Sequence, residues 1–263
     1  SVASFRASLP GYCLPEFGRG RQGQYGEWEQ DKCRERGQEQ CNEYEREQRG
    51  WLLGKGIYHP LLEQAVRNDF ILKRGCMITG ANASGKSTFI KAVAVNSILA
   101  QTIHTCMAEQ FRMPRMRILT SMAVRDDILS GESYYIREVG YLKRIVNAVG
   151  EELPVLCLID EILRGTNTAE RLAASEAVLT YLAKKNCLAV VATHDMELAE
   201  KLVDLYDCYY FQSEIREDDI LFDYKIRKGF GQTKNAVKLL SYMKFPVEIV
   251  EMAEMLSSYQ KSV

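Results

Sequence analysis

The chain lacks the features that would place it in a membrane, around a zinc ion or, by bulk charge, along nucleic acid. No apolar run reaches the roughly 18 residues a membrane helix needs. The first residues lack the charged-then-apolar order of a signal peptide, and they lack an initiator Met, so a piece of a longer protein is the expectation. Lys and Arg (34) balance Asp and Glu (35), for a net charge of −1. A surface that grips duplex DNA shows as a basic excess, and with none here this segment is not expected to bind DNA strongly by itself. Of eight cysteines none forms a CxxC pair, and only three histidines are present, which leaves no zinc-site spacing. Cys76, Cys157 and Cys187 lie in or beside apolar runs. Buried, reduced thiols and a cytoplasmic location are the expectation.

Residues 18–50 contain no Val, Ile, Leu, Met, Phe or Ala. Such a stretch cannot bury enough apolar surface to offset its ordering entropy, and a solvated or disordered insertion is expected. Residues 1–17 are expected to be the tail of an upstream domain, and residues 51–263 to form the main domain.

From Trp51 onward, apolar runs alternate with helical patterns, the mark of an α/β fold with a mainly parallel sheet. Strands are predicted at Cys76–Thr79, Arg117–Thr120, Val155–Ile159 and Leu188–Ala192, with late, antiparallel ones at Cys208–Phe211 and Ile220–Ile226. Helices are predicted at Gly85–Gln101, Ser133–Ala148, Thr168–Lys184, Met196–Val203, Lys234–Met243 and Pro246–Ser257. Pro246 suits a first-turn position.

The strongest motif is Gly80, Ala81, Asn82, Ala83, Ser84, Gly85, Lys86, Ser87, Thr88. It fits G-x-x-x-x-G-K-[ST] and lies between a predicted strand and a predicted helix. Glycines there let backbone N–H groups turn inward, and the helix N-terminus adds partial positive charge, a bed for phosphates. Lys86 would reach the β- and γ-phosphates of ATP, and the Ser87 hydroxyl would hold Mg²⁺.

Val155–Ile159 reads as a strand buried on both faces, ending in Asp160 and Glu161. Carboxylates at the C-terminal edge of such a sheet face the ligand crevice. Asp160 would orient the Mg²⁺ shell, and Glu161 would orient and deprotonate the attacking water. A further buried strand ends at Thr193 and His194, which places His194 to sense the γ-phosphate.

Other segments narrow the family. Asn82 within GANASGKST is similar to the loops of MutS, SMC and Rad50 proteins. Asp126–Glu138, around Ser130, Gly131, Glu132 and Ser133, resembles the MutS stretch that leads into its signature helix. Leu163–Thr168 resembles the MutS Gly-Arg-Gly-Thr-Ser-Thr segment. His59-Pro60, with Asn68 downstream, is similar to the family's His-Pro motif, and Tyr224–Gly229 and Phe245–Ala253 resemble its closing elements. The resemblance runs from about Trp51 to Leu256. Glu132, Tyr134 and Asn167 depart from the family pattern, so the resemblance is to a divergent MutS-like ATPase domain.

This resemblance implies a P-loop NTPase of the ABC type, a three-layer fold whose two ATP sites are shared across a homodimer. Ser133, at a helix N-terminus, would meet the γ-phosphate bound by the other copy. Gln101 would join Ser87 and Asp160 near the metal, and Ile57, His59 and Asn68 would form the adenine pocket. The implied activity is Mg²⁺-dependent ATP hydrolysis coupled to DNA clamping by domains outside this segment. Two alternatives stay open. One is a nucleotide-gated dimerisation switch with negligible turnover, motivated by Glu132. The other is a transporter or SMC-type ABC ATPase, since Leu129–Ser133 is similar to LSGGQ.

Overall fold

The computed structural model describes residues 2–7, 9, 11–18, 52–122, 134–150, 153–216, 219–231 and 236–259. The 18–50 stretch beyond Gly18, and the Asp126–Ser133 segment with Ser133 itself, lie outside the described residues.

In chain order the elements are α1 (Val2–Ala7), β1 (Glu16–Gly18), β2 (Leu52–Ile57), β3 (Asn68–Leu72), β4 (Cys76–Thr79), α2 (Lys86–Ile103), β5 (Gln110–Pro114), β6 (Arg117–Ser121) and α3 (Tyr134–Ala148). There follow β7 (Val155–Asp160), α4 (Thr168–Ala183), β8 (Cys187–Ala192), α5 (Met196–Lys201), β9 (Asp207–Arg216), β10 (Asp219–Lys228), α6 (Ala236–Tyr242) and α7 (Val247–Tyr259). Six strands form one sheet in the order β10-β9-β4-β8-β7-β6. It is parallel from β9 to β6, and β10 returns antiparallel to β9.

The apolar runs explain this sheet. Strand β7 is buried along Val155–Ile159 and β8 along its whole length, as strands covered on both faces must be. Successive side chains alternate faces. Leu156 and Leu158 of β7, with Leu188 and Val190 of β8, join Phe89, Ile90 and Val93 of α2. Cys157 and Ile159, with Ala189 and Val191, face Leu142 and Ile145 of α3, Leu172, Leu179 and Leu182 of α4 and Leu198 of α5.

A second sheet, β1-β5-β2-β3, was not foreseen from the sequence. Its Leu52, Phe70 and Phe111 close over the far side of α2, so α2 lies between two sheets and a fourth layer joins the three expected. The strands are short, and β2 alternates buried and exposed positions around Gly54 and Gly56. Gly56, at φ 61, sits where the register between β2 and β3 shifts, and its N–H donates to Asp69 Oδ1 at 2.6 Å.

Residues 11–18 join this sheet, and α1 packs at the end of α2. Arg6 donates to Thr105 Oγ1 (2.8 Å) and to the carbonyls of Ile103 and His104. Tyr58 Oη donates to the Gly11 carbonyl, and β1 pairs parallel with β5. At the other end of the chain, α7 leaves Val247, Ile249, Met252, Met255 and Leu256 exposed.

Candidate functional site

The register of the parallel sheet aligns three strand ends. Ile78 of β4 is opposite Ala192 of β8, and Ala192 is opposite Asp160 of β7. The ladder continues one step further: Thr193 N donates to Ile78 O, and Glu161 N to Ala192 O, both at 3.0 Å. The Gly80–Thr88 loop, the Asp160-Glu161 pair and His194 therefore leave the sheet along one edge, its C-terminal edge.

The loop turns through left-handed backbone at Gly80 (φ 147), Ala83 (φ 64) and Gly85 (φ 109). A Cβ on Gly80 would lie 2.9 Å from both the Phe211 carbonyl oxygen and Ser84 Oγ, so only glycine fits without displacing backbone. Helix α2 starts after Gly85 with no side-chain cap and no acid in its first turn. Its first N–H groups thus have no intrahelical acceptor and point along a helix dipole whose positive end faces the loop. Lys86, 5% exposed, donates Nζ to Gly80 O at 2.6 Å and Ala81 O at 2.9 Å. Burial lowers its pKa, the carboxylates of Glu161 and Asp160 oppose that, and Arg164 adds to it. The charged form stays within reach of two acids, and an anion entering the loop would add a third stabilising charge.

Glu161 carries the second unusual feature. It is 5% exposed with φ 65, a left-handed conformation that costs a non-glycine residue about 1–2 kcal/mol. Strain of this kind persists where the surroundings over-determine it. Here Oε2 lies 2.6 Å from His194 Nδ1 and Oε1 lies 3.4 Å from Arg164 Nη2. Next to it, Asp160 Oδ1 is buried with no hydrogen-bond partner. The 161–165 turn also packs against α3: a Cβ on Gly165 would lie 2.7 Å from Tyr135 Cβ, and the Glu138 carboxylate is buried close to the N–H groups of Leu163 and Arg164. Helix α4 then starts at Asn167, whose side chain accepts from Glu170 N at 3.0 Å. This departure from Ser keeps the cap, since Asn and Ser cap equally well. Arg171 of α4 binds Asp195 at 3.0 Å, fixing the residue after His194.

A cavity of about 580 Å³ joins the loop to the four-stranded sheet; Ile57, His59, Asn68, Asn82–Phe89, Glu161, Arg164 and Tyr224 are among its lining residues. Ile57, His59 and Asn68, singled out from the sequence, are thus brought beside the loop. Asn68 donates to Tyr224 O (3.0 Å) and accepts from Ile226 N (2.8 Å). These bonds pin the irregular part of β10, where Tyr224 has φ 53. Burial and the nearby Lys91 lower the pKa of His59, which favours a neutral imidazole at this end.

Gln101 requires correction. It belongs to the last turn of α2, about 21 Å along the axis from Ser87 at roughly 1.5 Å per residue. Its Oε1 accepts from Met116 N at 2.9 Å, so it braces the β5–β6 turn and is no metal ligand for the site at Ser87. The sequence reading assigned no role to Tyr224, Arg164 or Glu138. Tyr224 and Arg164 lay in motifs already singled out, but only the folded geometry brings them to the cavity. Among the described residues, no group of three or more His, Cys, Asp or Glu side chains could hold a metal by itself. No helix among them is long and apolar enough to cross a membrane. The described cysteines are all free.

A largely parallel sheet with a glycine-rich loop, a buried lysine and two acids at one edge defines an α/β class of domain. Within that class, this chain belongs to the MutS family: residues 76–260 match the model of MutS domain V. It is 33% identical over 216 residues to the DNA mismatch repair protein MutS of Pseudothermotoga lettingae, covering 78% of this chain and 26% of that protein. It is 31% identical to MutS of Petrotoga mobilis, over 78% of this chain and 26% of that protein. It is also 31% identical to MutS protein homolog 4 of Homo sapiens, over 73% of this chain and 22% of that protein. The chain thus spans about a quarter of the length of these relatives.

Proposed function

We propose that this domain is a P-loop NTPase of the ABC type that binds ATP with Mg²⁺, hydrolyses it as a homodimer with shared sites, and couples that cycle to DNA clamping through parts of a longer MutS-like protein. One observation carries the reading: a single cavity runs from an open helix N-terminus and Lys86 to Glu161 and on to Ile57, His59 and Tyr224. Its phosphate end is cationic and its other end has the apolar and aromatic walls an adenine ring needs.

The triphosphate lies along the 80–88 backbone amides, with Asn82 and Ser84 in the loop and Thr88 beside Ser87. Lys86 exchanges the Gly80 and Ala81 carbonyls for β- and γ-phosphate oxygens, which accept more strongly from an ammonium than neutral carbonyls do. The partnerless Asp160 Oδ1 and the Ser87 hydroxyl suit a hard cation that takes oxygen ligands. Held there, Mg²⁺ would neutralise charge on the phosphate oxygens. Glu161 accepts the proton of the attacking water, and His194 holds that carboxylate in place and faces the γ-phosphate. Ser133 of the second copy completes the site at the N-terminus of that copy's α3. The exposed apolar side chains of α7 support a second copy as partner.

ATP turnover of the wild type, Glu161→Gln and Lys86→Ala tests the chemistry, across a concentration series because each site needs two copies. Loss of activity in both variants is expected, and equal rates in all three would end the reading.

A second reading is favoured by one contact set. Both oxygens of Glu161 are engaged, by His194 and Arg164, which leaves the carboxylate little freedom to act as a base. A nucleotide-gated dimerisation switch would then dominate. Sedimentation with and without a non-hydrolysable ATP analogue decides it: ATP-dependent dimers with no turnover at high concentration favour the switch.

A further inference from the structure

Cys13 and Cys106 lie away from the cavity and have no part in the chemistry above. Cys13 is in the segment that leads into β1, and Cys106 is in the loop between α2 and β5. The two form an isolated antiparallel bridge. Cys13 N donates to Cys106 O at 2.8 Å and Cys106 N donates to Cys13 O at 2.9 Å. Residues that exchange both bonds stand directly opposite, with Cα atoms about 5.5 Å apart, inside the roughly 4.4–6.8 Å span of disulfides. Their side chains share one face of the bridge.

The two thiols also differ in a useful way. Cys106 is fully buried and its Sγ donates to the Asn96 carbonyl at 3.6 Å, while Cys13 is only partly buried. Proximity of the two sulfurs lowers the Cys13 pKa and raises that of Cys106, with burial also raising Cys106. An oxidant from solvent therefore meets Cys13 first, with a resolving thiol already beside it. A different pair, Cys157 and Cys187 on neighbouring strands, lies in the core and is shut off from any oxidant. Burial and the contact with Cys187 push the Cys157 thiol well up.

We propose that Cys13 and Cys106 are a redox modification site that closes to a reversible disulfide under hydrogen peroxide, clamping residues 11–18 to the C-terminal end of α2. In the first step the Cys13 thiolate attacks one peroxide oxygen. The S–O bond forms, the O–O bond breaks, and the departing hydroxide takes up a proton to leave as water. In the second step the Cys106 sulfur attacks Cys13 Sγ. The S–S bond forms, the S–O bond breaks, and a second water leaves carrying the Cys106 proton. Two thiols and one peroxide give one disulfide and two waters, and two electrons pass from sulfur to oxygen. Directly opposed residues hold their Cβ atoms about 4.5–5.5 Å apart, whereas a disulfide needs about 3.5–4.5 Å. Closing it pinches the bridge, and a pinched disulfide is readily reopened by a thiol reductant.

The test treats the whole chain with about one equivalent of peroxide, blocks remaining thiols by alkylation and maps non-reduced peptides by mass spectrometry. The expected product is a cross-linked pair of peptides carrying Cys13 and Cys106. It should vanish on reduction and in Cys13→Ser, and persist in Cys157→Ser. Circular dichroism of Cys13→Ser and Cys106→Ser checks that each folds, and Cys13→Ala gives a second variant at the partly buried position. Cys106 remaining fully alkylated, Cys13 ending as sulfinic acid, or Cys13 joined to Cys33 or Cys41 would each overturn the proposal. None of these outcomes depends on nucleotide binding.

Discussion

Replacing Asn68 by Ala separates what holds the cavity together from the loop proposed to bind phosphate. Asn68 is 7% exposed and its amide is used on both sides. Nδ2 donates to Tyr224 O at 3.0 Å and Val66 O at 3.3 Å, and Oδ1 accepts from Ile226 N at 2.8 Å. Alanine strands the Ile226 N–H and the Tyr224 carbonyl. Each buried polar group left unpaired costs about 1–3 kcal/mol. Water entering through the cavity relieves part of this, so about 2–3 kcal/mol in total is expected. A loss of that size lowers the folded-to-unfolded ratio roughly 30- to 150-fold, and for a domain of this size it lowers Tm by about 4–10 °C. Urea unfolding followed by circular dichroism measures it. Asn68→Asp, which turns a carboxylate oxygen toward the Tyr224 and Val66 carbonyls in a buried site, should cost at least as much as Ala. The variant should also weaken ATP more than inorganic pyrophosphate, because Tyr224 loses its tether while the 80–88 loop is untouched. An Ala variant with the wild-type urea midpoint and slope would refute this reasoning.

Gly80→Ala should abolish nucleotide uptake in calorimetry, because its Cβ meets the Phe211 backbone oxygen at 2.9 Å and a φ of 147 excludes side chains. Asn167→Ala removes the cap on α4 and should cost about 1 kcal/mol in the same urea assay. For Glu138, burial raises the pKa above the usual carboxylate range, against the N–H groups of Leu163 and Arg164 that lower it. The folded chain therefore keeps this proton to higher pH than the unfolded chain, and stability falls as pH climbs from the ordinary value through the raised one. Glu138→Gln cannot ionise, so its stability relative to wild type should grow with pH across that window and level off above it. Unfolding midpoints of both proteins from about pH 4 to 8 check the sign.

Much of the fold was written in continuous apolar runs. Val155–Ile159 and the strand ending at Ala192 are covered on both faces, and a strand so covered has little room for polar residues. The four-stranded sheet left no such trace. Its strand Gln110–Pro114 mixes Gln and Arg with three buried positions, one of them Pro114, and Leu52–Ile57 is broken by two glycines. These strands are short, and β5 pairs with β2 and β1 from far along the chain. At the site, motif spacing pointed to Lys86, Asp160, Glu161 and His194, which register then brought to one edge. Tyr224 needed a pairing across more than 150 residues with Asn68, a contact invisible to any local pattern. Gln101 failed for a simpler reason: helical rise carries it to the wrong end of α2.

That rise has a consequence for motion. Helix α2 is an unbroken rod of 18 residues, about 27 Å long, wedged between two sheets. One tip abuts the Gly80–Thr88 loop; the other touches Arg6 through the Ile103 carbonyl and holds the β5–β6 turn through Gln101. A rod stiff along its axis delivers a push at one tip to the other with little loss. A shift at the loop would thus be felt at the opposite pole of the molecule.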